Sequence, residues 1–315
     1  MTEKAAIGTP GRVERLALIG VGLIGSSIAR AVRRGNLAGH IAGCTRSEAS
    51  RDKCLELGIV DSAHLDPAEC VAGADLVILC THLGSYRQVV EAIRPALKPG
   101  AILSDVGSAK AFVLRDLTPL LPEGVHLVPG HPVSGTEHSG PAAGFAELFD
   151  DRWCILTPNG ESDPAAVEQV AAFWRAIGSK IEIMEAEHHD LVLAVTSHLP
   201  HLIAYNIVGT ASDLESVTRS EVTKYSAGGF RDFTRIAASD PEFWRDVFLN
   251  NKEAVLEVLG RFTEDLIALQ RMIRWEQGDG LQDLFTRTRD VRRRIIAAGQ
   301  ETAAPDFGRR SGGED

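Results

Sequence analysis

"RLALIGVGLIGSSIARAVRR", residues 15–34, decides the fold. The apolar run 16–19 has the composition of a strand, the next six residues read Gly20-Val21-Gly22-Leu23-Ile24-Gly25, and "SSIARAVRR" has the period of a helix. Strand, GxGxxG and helix, in that order, build a turn where bare backbone approaches a pyrophosphate. The N–H groups that open the helix meet its charge. A second strand, "HIAGCT" from His40, ends about 20 residues further on, where a dinucleotide's ribose is read. Gly20, Gly22, Leu23, Ile24 and Gly25 are therefore expected to bind a dinucleotide.

Outward from this turn, β-rich runs alternate with helical patterns: "LVILCT" from Leu76, "AILSDVG" from Ala101, "HLVPGHP" from His126 and "WCILTP" from Trp153. Such alternation predicts an α/β fold, a Rossmann-type doubly wound parallel sheet. A helix over 164–177 and a strand "SKIEIM" follow, and from about Glu185 only helical patterns run to about Ala298. The expected division is a flexible tail (1–12), a dinucleotide-binding domain (13–185), an all-helical substrate and dimerisation domain (186–299) and a second tail (300–315). Leu and Val at helical spacing through "EAVLEVLGRFTEDLIALQ" (253–270) make that helical half too apolar to be covered by the first domain, which predicts a homodimer.

Composition narrows the partners. The chain has 315 residues, 44% of them hydrophobic, a net charge of −10, and no basic run longer than Arg292 to Arg294, so a small molecule is expected rather than nucleic acid. Five cysteines without a CxxC pair read as reduced thiols of a cytoplasmic protein. No apolar stretch was expected to reach the ~18 residues of a membrane helix, so no membrane partner is predicted.

The strand ends carry the chemistry. Thr45-Arg46-Ser47 follows the second strand, where an NAD enzyme places an acid; two hydroxyls and a guanidinium suit a 2′-phosphate, hence NADP over NAD. Thr81 and His82, then Gly107-Ser108-Ala109-Lys110, then His131 in "HPVSGTEHSG", read as a loop, end the later strands. Ligands of open α/β sheets bind at those ends, so the residues converge on one crevice. In the helical half, "TSHLPHLIAYNI" (196–207) sets Ser197, His198 and His201 at spacings that share a face, with Pro200 kinking the helix. The reading is a substrate pocket without metal, since "EHHD" (187–190) lies turns away and zinc needs three or four ligands. Finally "GGFRDFTRIAASDPEFW" (228–244) packs Arg231, Asp232 and Arg235 between aromatics, where a carboxylate-bearing substrate would give an arginine a bidentate partner.

Together "LALIGVGLIGSSIARA", "DVGSAK", "PGHPVSGTEHSG", "SHLPH" and "GGFRDFTRIAASDPEFWRDVFLNNK" make the chain resemble the prephenate and arogenate dehydrogenase family of tyrosine biosynthesis over about residues 13–270. The resemblance implies a Rossmann domain, a helical dimerisation domain and NAD(P)-dependent oxidative decarboxylation of a cyclohexadienyl acid. By motif, His131 matches the family's catalytic histidine and Ser108 the serine beside it. Ser197 and His201 match substrate-pocket positions, Arg235 the carboxylate-binding arginine, and Glu137 and Asp232 acidic residues at the pocket mouth. Many relatives carry an acid where Thr45 stands. Two other readings stay open: a two-domain β-hydroxyacid dehydrogenase, which would place a lysine base in the helical half, and a non-catalytic dinucleotide sensor, which would need neither Ser108 nor the Arg235 cluster.

Overall fold

A computed structural model describes residues 10–136, 138–218 and 228–297 of the chain. Six parallel strands, β1 (Val13–Ile19), β2 (Ala38–Cys44), β3 (Ser62–His64), β4 (Leu76–Leu79), β5 (Ile102–Asp105) and β6 (His126–Val128), form one sheet in the order β3-β2-β1-β4-β5-β6. Alternation explains why β1 lies at the centre. Leu16 and Leu18 enter one apolar core while Ala17 and Ile19 enter the other, on the opposite face. The strand order reverses between β1 and β4, and there the carboxyl ends of neighbouring strands open a crevice.

The sequence expectation holds for this sheet except at β3, a three-residue strand without an apolar run. It fails after β6, in two ways. "HLVPGHP" is not one strand: it breaks at Pro129, which has no N–H to give a ladder, although its carbonyl accepts from Thr157 N at 3.0 Å. The chain resumes as β7 (Gly130–Pro132), which pairs antiparallel with β8 (Trp153–Leu156), itself parallel to β9 (Lys180–Ile183), in a separate three-stranded sheet. His131 therefore lies in a strand, opposite Ile155, and not in a loop.

The helical segment holds helices Ala186–Leu193, Leu199–Thr218, Gly228–Thr234, Pro241–Asn250, Lys252–Arg274 and Gly278–Ile295. In place of a simple proline kink, the five residues Ala194–His198 before Pro200 are wound as a π-helical turn. Proline supplies no N–H to the preceding turn, and one wider turn accommodates the gap. Contrary to the sequence expectation, Ala186–Leu214 is long and apolar enough to cross a membrane by length and composition, with a mean hydropathy of 1.4. Its Asp190, His189 and His198 are nonetheless buried and hydrogen-bonded into the same unit as the sheet.

By compactness the chain divides into a unit through Leu256 and a unit from Glu257 onward. The second unit leaves Ile273, Trp275 and Phe285 exposed. All five cysteines are free, four of them buried.

Candidate active site

The glycine turn has the shape a dinucleotide needs. Gly20 sits at φ +98°, and a Cβ there would lie 2.8 Å from the Cys80 carbonyl oxygen. A Cβ on Gly25 would lie 2.3 Å from the Gly20 carbonyl oxygen, so only glycine lets the helix Leu23–Gly35 close on the turn. At Gly22 a Cβ would meet nothing within 4 Å, and the first helical turn carries no acidic residue. Open space above bare N–H groups fits an incoming pyrophosphate. At the end of β2, Thr45 is buried with its hydroxyl donating to the Ser47 carbonyl at 3.2 Å, Ser47 caps the helix Glu48–Glu56 through Ser50 N, and Arg46 is exposed. Beyond β4, the Thr81 hydroxyl accepts from Ser85, and His82 meets Phe243 edge to face at 6.2 Å.

Beside this turn lies a buried polar cluster that the motif "DVGSAK" builds. Asp105 (1% exposed) and Lys110 (0%) form an ion pair. Asp105 also accepts from Gly107 N at 2.8 Å and Gly130 N at 3.2 Å, while the Lys110 ammonium donates to the Gly130 carbonyl at 2.8 Å. Burial draws Lys110 below the ordinary lysine range, and Asp105 opposes that. The pair thus clamps the Ser108 loop to the residue just before His131. Ser108 is 8% exposed and its hydroxyl has no partner among the described residues. A buried hydroxyl without a partner is a place where a ligand is expected to complete the hydrogen bonding.

His131 (7% exposed) is the centre of the cluster. Its Nδ1 lies 2.8 Å from His189 Nε2, and His189 Nδ1 lies 2.8 Å from Asp190 Oδ1. The Asp190 carboxylate accepts in addition from the backbone N–H groups of Lys110 (2.7 Å) and Ala111 (2.9 Å). Asn251 donates to the Asp190 carbonyl at 2.8 Å and faces His198 Nδ1 at 3.1 Å. Burial, with the Lys110 ammonium nearby, holds His131 well below the usual histidine range; burial pushes His189 down to about 2 and His198 down to about 4. All three imidazoles are neutral at pH 7, so His131 is available to accept a proton.

Of the remaining sequence candidates, His201 borders this cluster, since it shares Trp244 with His198. Ser197 is half-buried, and its carbonyl accepts from His201 Nδ1 at 2.8 Å. His201 stacks on Trp244 with ring centroids 3.6 Å apart, and its proton affinity is lowered by burial and by the charge of Arg235. The turn Arg235–Ala238 packs against the helix Leu199–Thr218 that carries His201. Asp246 on the Trp244 helix accepts from Gly84 N at 3.0 Å, which ties this helix to the loop after β4. Asp232 is exposed beside Arg231, and Glu137 lies outside the described residues. Sequence reasoning did not assign Asp105, Lys110, His189, Asp190, Trp244 or Asn251. "EHHD" drew notice only as a weak metal motif, because His189 and His131 lie 58 residues apart.

A doubly wound sheet with a glycine turn after β1, and beyond β5 and β6 a buried histidine and a serine hydroxyl with no partner among the described residues, fits an oxidoreductase of the dinucleotide-dependent class. Residues 28–183 match the nucleotide-binding domain of prephenate dehydrogenases, and residues 185–287 match their dimerization domain. The chain is 43% identical to cyclohexadienyl dehydrogenase of Zymomonas mobilis over 89% of its own length and 95% of that protein's. It is 32% identical to prephenate dehydrogenase of Bacillus subtilis, covering 89% of this chain and 75% of that one. The Aquifex aeolicus prephenate dehydrogenase, solved with hydroxyphenyl propionate and NAD+, superposes with a TM-score of 0.84 at 32% identity, covering 93% of this chain and all of that one. The chain belongs to the prephenate dehydrogenase family.

Proposed function

We propose that the chain carries out the NAD(P)-dependent oxidative decarboxylation of prephenate, arogenate or both, with His131 as the base and NADP as the preferred cofactor. The observation that carries this reading is the clamp Asp105–Lys110–Gly130, which ties the loop of Ser108, whose hydroxyl has no partner among the described residues, to the residue just before the buried His131. A β-hydroxyacid dehydrogenase would instead take a lysine base from the helical half, and a sensor would need no such pair.

Gly20, Gly22 and Gly25, with Leu23 and Ile24, would hold the pyrophosphate, and Thr81 and His82 would border the cofactor. The bound dinucleotide supplies the acceptor for the hydride that leaves C4 of the ring. His131 takes the proton of the C4 hydroxyl, so the oxygen becomes a carbonyl. The bond from C1 to its carboxylate then breaks, carbon dioxide departs, and its electron pair enters the ring to make a phenolate. His131 returns the proton to that oxygen, and aromaticity drives the step. Ser108 orients the same hydroxyl. Arg235, beside His201, holds a carboxylate that persists through the reaction; Ser197 and His201 line the pocket, and Asp232 and Glu137 are assigned to its mouth.

The NADP preference rests on Thr45, Arg46 and Ser47. None of the three residues that directly follow β2, Thr45, Arg46 and Ser47, carries a carboxylate to bond a ribose diol, and exposed Arg46 can pair with a 2′-phosphate. We further assign residues 13–185 to cofactor binding and 186–299 to substrate and assembly, in a cytoplasmic homodimer. Support for the dimer comes from the dimerization-domain match and from Ile273, Trp275 and Phe285, large apolar side chains exposed in a single chain.

Reduced-cofactor absorbance with each acid and each dinucleotide tests the proposal. Turnover on a cyclohexadienyl acid, higher kcat/KM with NADP, and a shift toward NAD in Thr45→Asp are expected. No turnover on either acid would overturn the reaction; NAD used as efficiently as NADP would overturn the reading of the Thr45 loop.

A further inference from the structure

The hydrogen bonds around His131 form a directed chain. The Asp190 carboxylate accepts two backbone N–H groups, at 2.7 and 2.9 Å, so it presents only acceptor oxygens to His189. His189 Nδ1, 2.8 Å away, must therefore be the donor. A neutral His189 then has a lone pair on Nε2, and the only proton that can fill the 2.8 Å contact with His131 is the one on His131 Nδ1. This leaves His131 with a bare Nε2. Asn251 closes the arrangement from the other side: it donates to the Asp190 carbonyl, so the His198 Nδ1 it faces is an acceptor.

We propose that His189 and Asp190 are positioning residues that hold His131 in the Nδ1–H tautomer, so that its Nε2 lone pair faces the substrate hydroxyl. The inference rests on the proton-accepting role given to His131 above. Neutral histidine in water favours the opposite tautomer, with the proton on Nε2, which could only donate to that hydroxyl. The same chain then serves the step in which His131 is protonated. The imidazolium keeps its Nδ1–H bond to His189, and His189 keeps its bond to the Asp190 carboxylate, so the positive charge is met by an anion without any second proton moving. An aspartate that fixes and supports a catalytic histidine through one hydrogen bond is known from serine proteases; here a second imidazole stands between the two. The groups facing His131 are His189 and His198 from the helical segment and Lys110 from the loop after β5. None of them but His189 makes a hydrogen bond to its ring.

The test reads the tautomer directly. In 15N spectra of histidine-labelled protein near pH 7.5, the signals that vanish in His131→Asn belong to His131. The expected pattern is a protonated Nδ1 and a bare Nε2, and in His189→Phe the ring reverts to Nε2–H. In steady-state assays His189→Phe is expected to lower kcat about 10–100-fold with little change in KM. His189→Gln should retain most of kcat, because its amide oxygen accepts from Nδ1–H and its amide nitrogen donates to Asp190. A proton on Nε2 of His131 in the unmodified protein would overturn the inference, as would a folded His189→Phe enzyme with unchanged kcat. The native tautomer is read without turnover, so a failure of the proposed reaction is seen separately, as absence of activity in the unmodified enzyme.

Discussion

Polar residues at the two ends of the site are held in opposite ways. Around His131 they are buried and bonded to one another: Asp105 to Lys110, His131 to His189, His189 to Asp190, Asn251 to Asp190. Around Arg235 the charged side chains are exposed, and Asp232 pairs with Arg231 at 3.4 Å. A buried cluster fixes geometry before any ligand arrives, and exposed charges can adapt to one. Under the proposed function the difference divides the labour: the interior is assigned chemistry that tolerates little displacement, and the surface segment is assigned recognition of a charged substrate.

The largest effect should follow from breaking the interior. Lys110→Met leaves the Asp105 carboxylate buried without its cation, which is expected to destabilise by about 3–5 kcal/mol and to lower Tm by roughly 6–20 °C. Thermal unfolding checks this, with Arg231→Met as the exposed counterpart expected to melt like the unmodified protein. Equal midpoints for the two variants would erase the contrast between the regions.

A smaller effect comes from the buried histidines. The folded-state proton affinities of His189 and His198 are depressed, to about 2 and about 4, from about 6.5 in the unfolded chain. Below pH ~6.5 the unfolded chain takes up protons that the native state refuses. The stabilisation is complete above that pH and is lost as pH falls toward 4, by about 1.4 kcal/mol per pH unit for each residue. His189→Gln should remove one such contribution, so that its stability falls less steeply with falling pH than that of the unmodified protein. Chemical denaturation at several pH values between 7 and 5 measures both slopes.

Local features of the fold were legible. GxGxxG between a strand and a helix could be read because Gly20 and Gly25 answer to contacts within their own turn or the adjacent strand end, and Gly22 leaves open space above the turn. The strand β7 could not be read, since three residues carry no periodicity and their partner β8 lies more than twenty residues on, past a glycine-rich stretch. The site divides in the same way. His131 and Ser108 stand at strand ends and were visible, and "DVGSAK" was visible as a motif without its function as a clamp. His189 and Asp190 were not assigned because nothing within their own helix shows that they face a residue 58 positions earlier. Conversely, Ser47 was expected to meet the cofactor, and the structure shows it already capping a helix.

The division between interior chemistry and surface recognition is tested most directly by steady-state kinetics of His131→Asn and Arg235→Ala side by side, with saturating cofactor and the cyclohexadienyl acid varied. His131→Asn should lose about 10²-fold or more in kcat with KM little changed, as for a positioned general base. Arg235→Ala should raise KM and, at saturating acid, recover a kcat close to that of the unmodified enzyme, as for a contact made equally in ground and transition states. A folded His131→Asn enzyme with nearly full kcat, or an Arg235→Ala enzyme whose kcat falls as far as that of His131→Asn, would contradict the account.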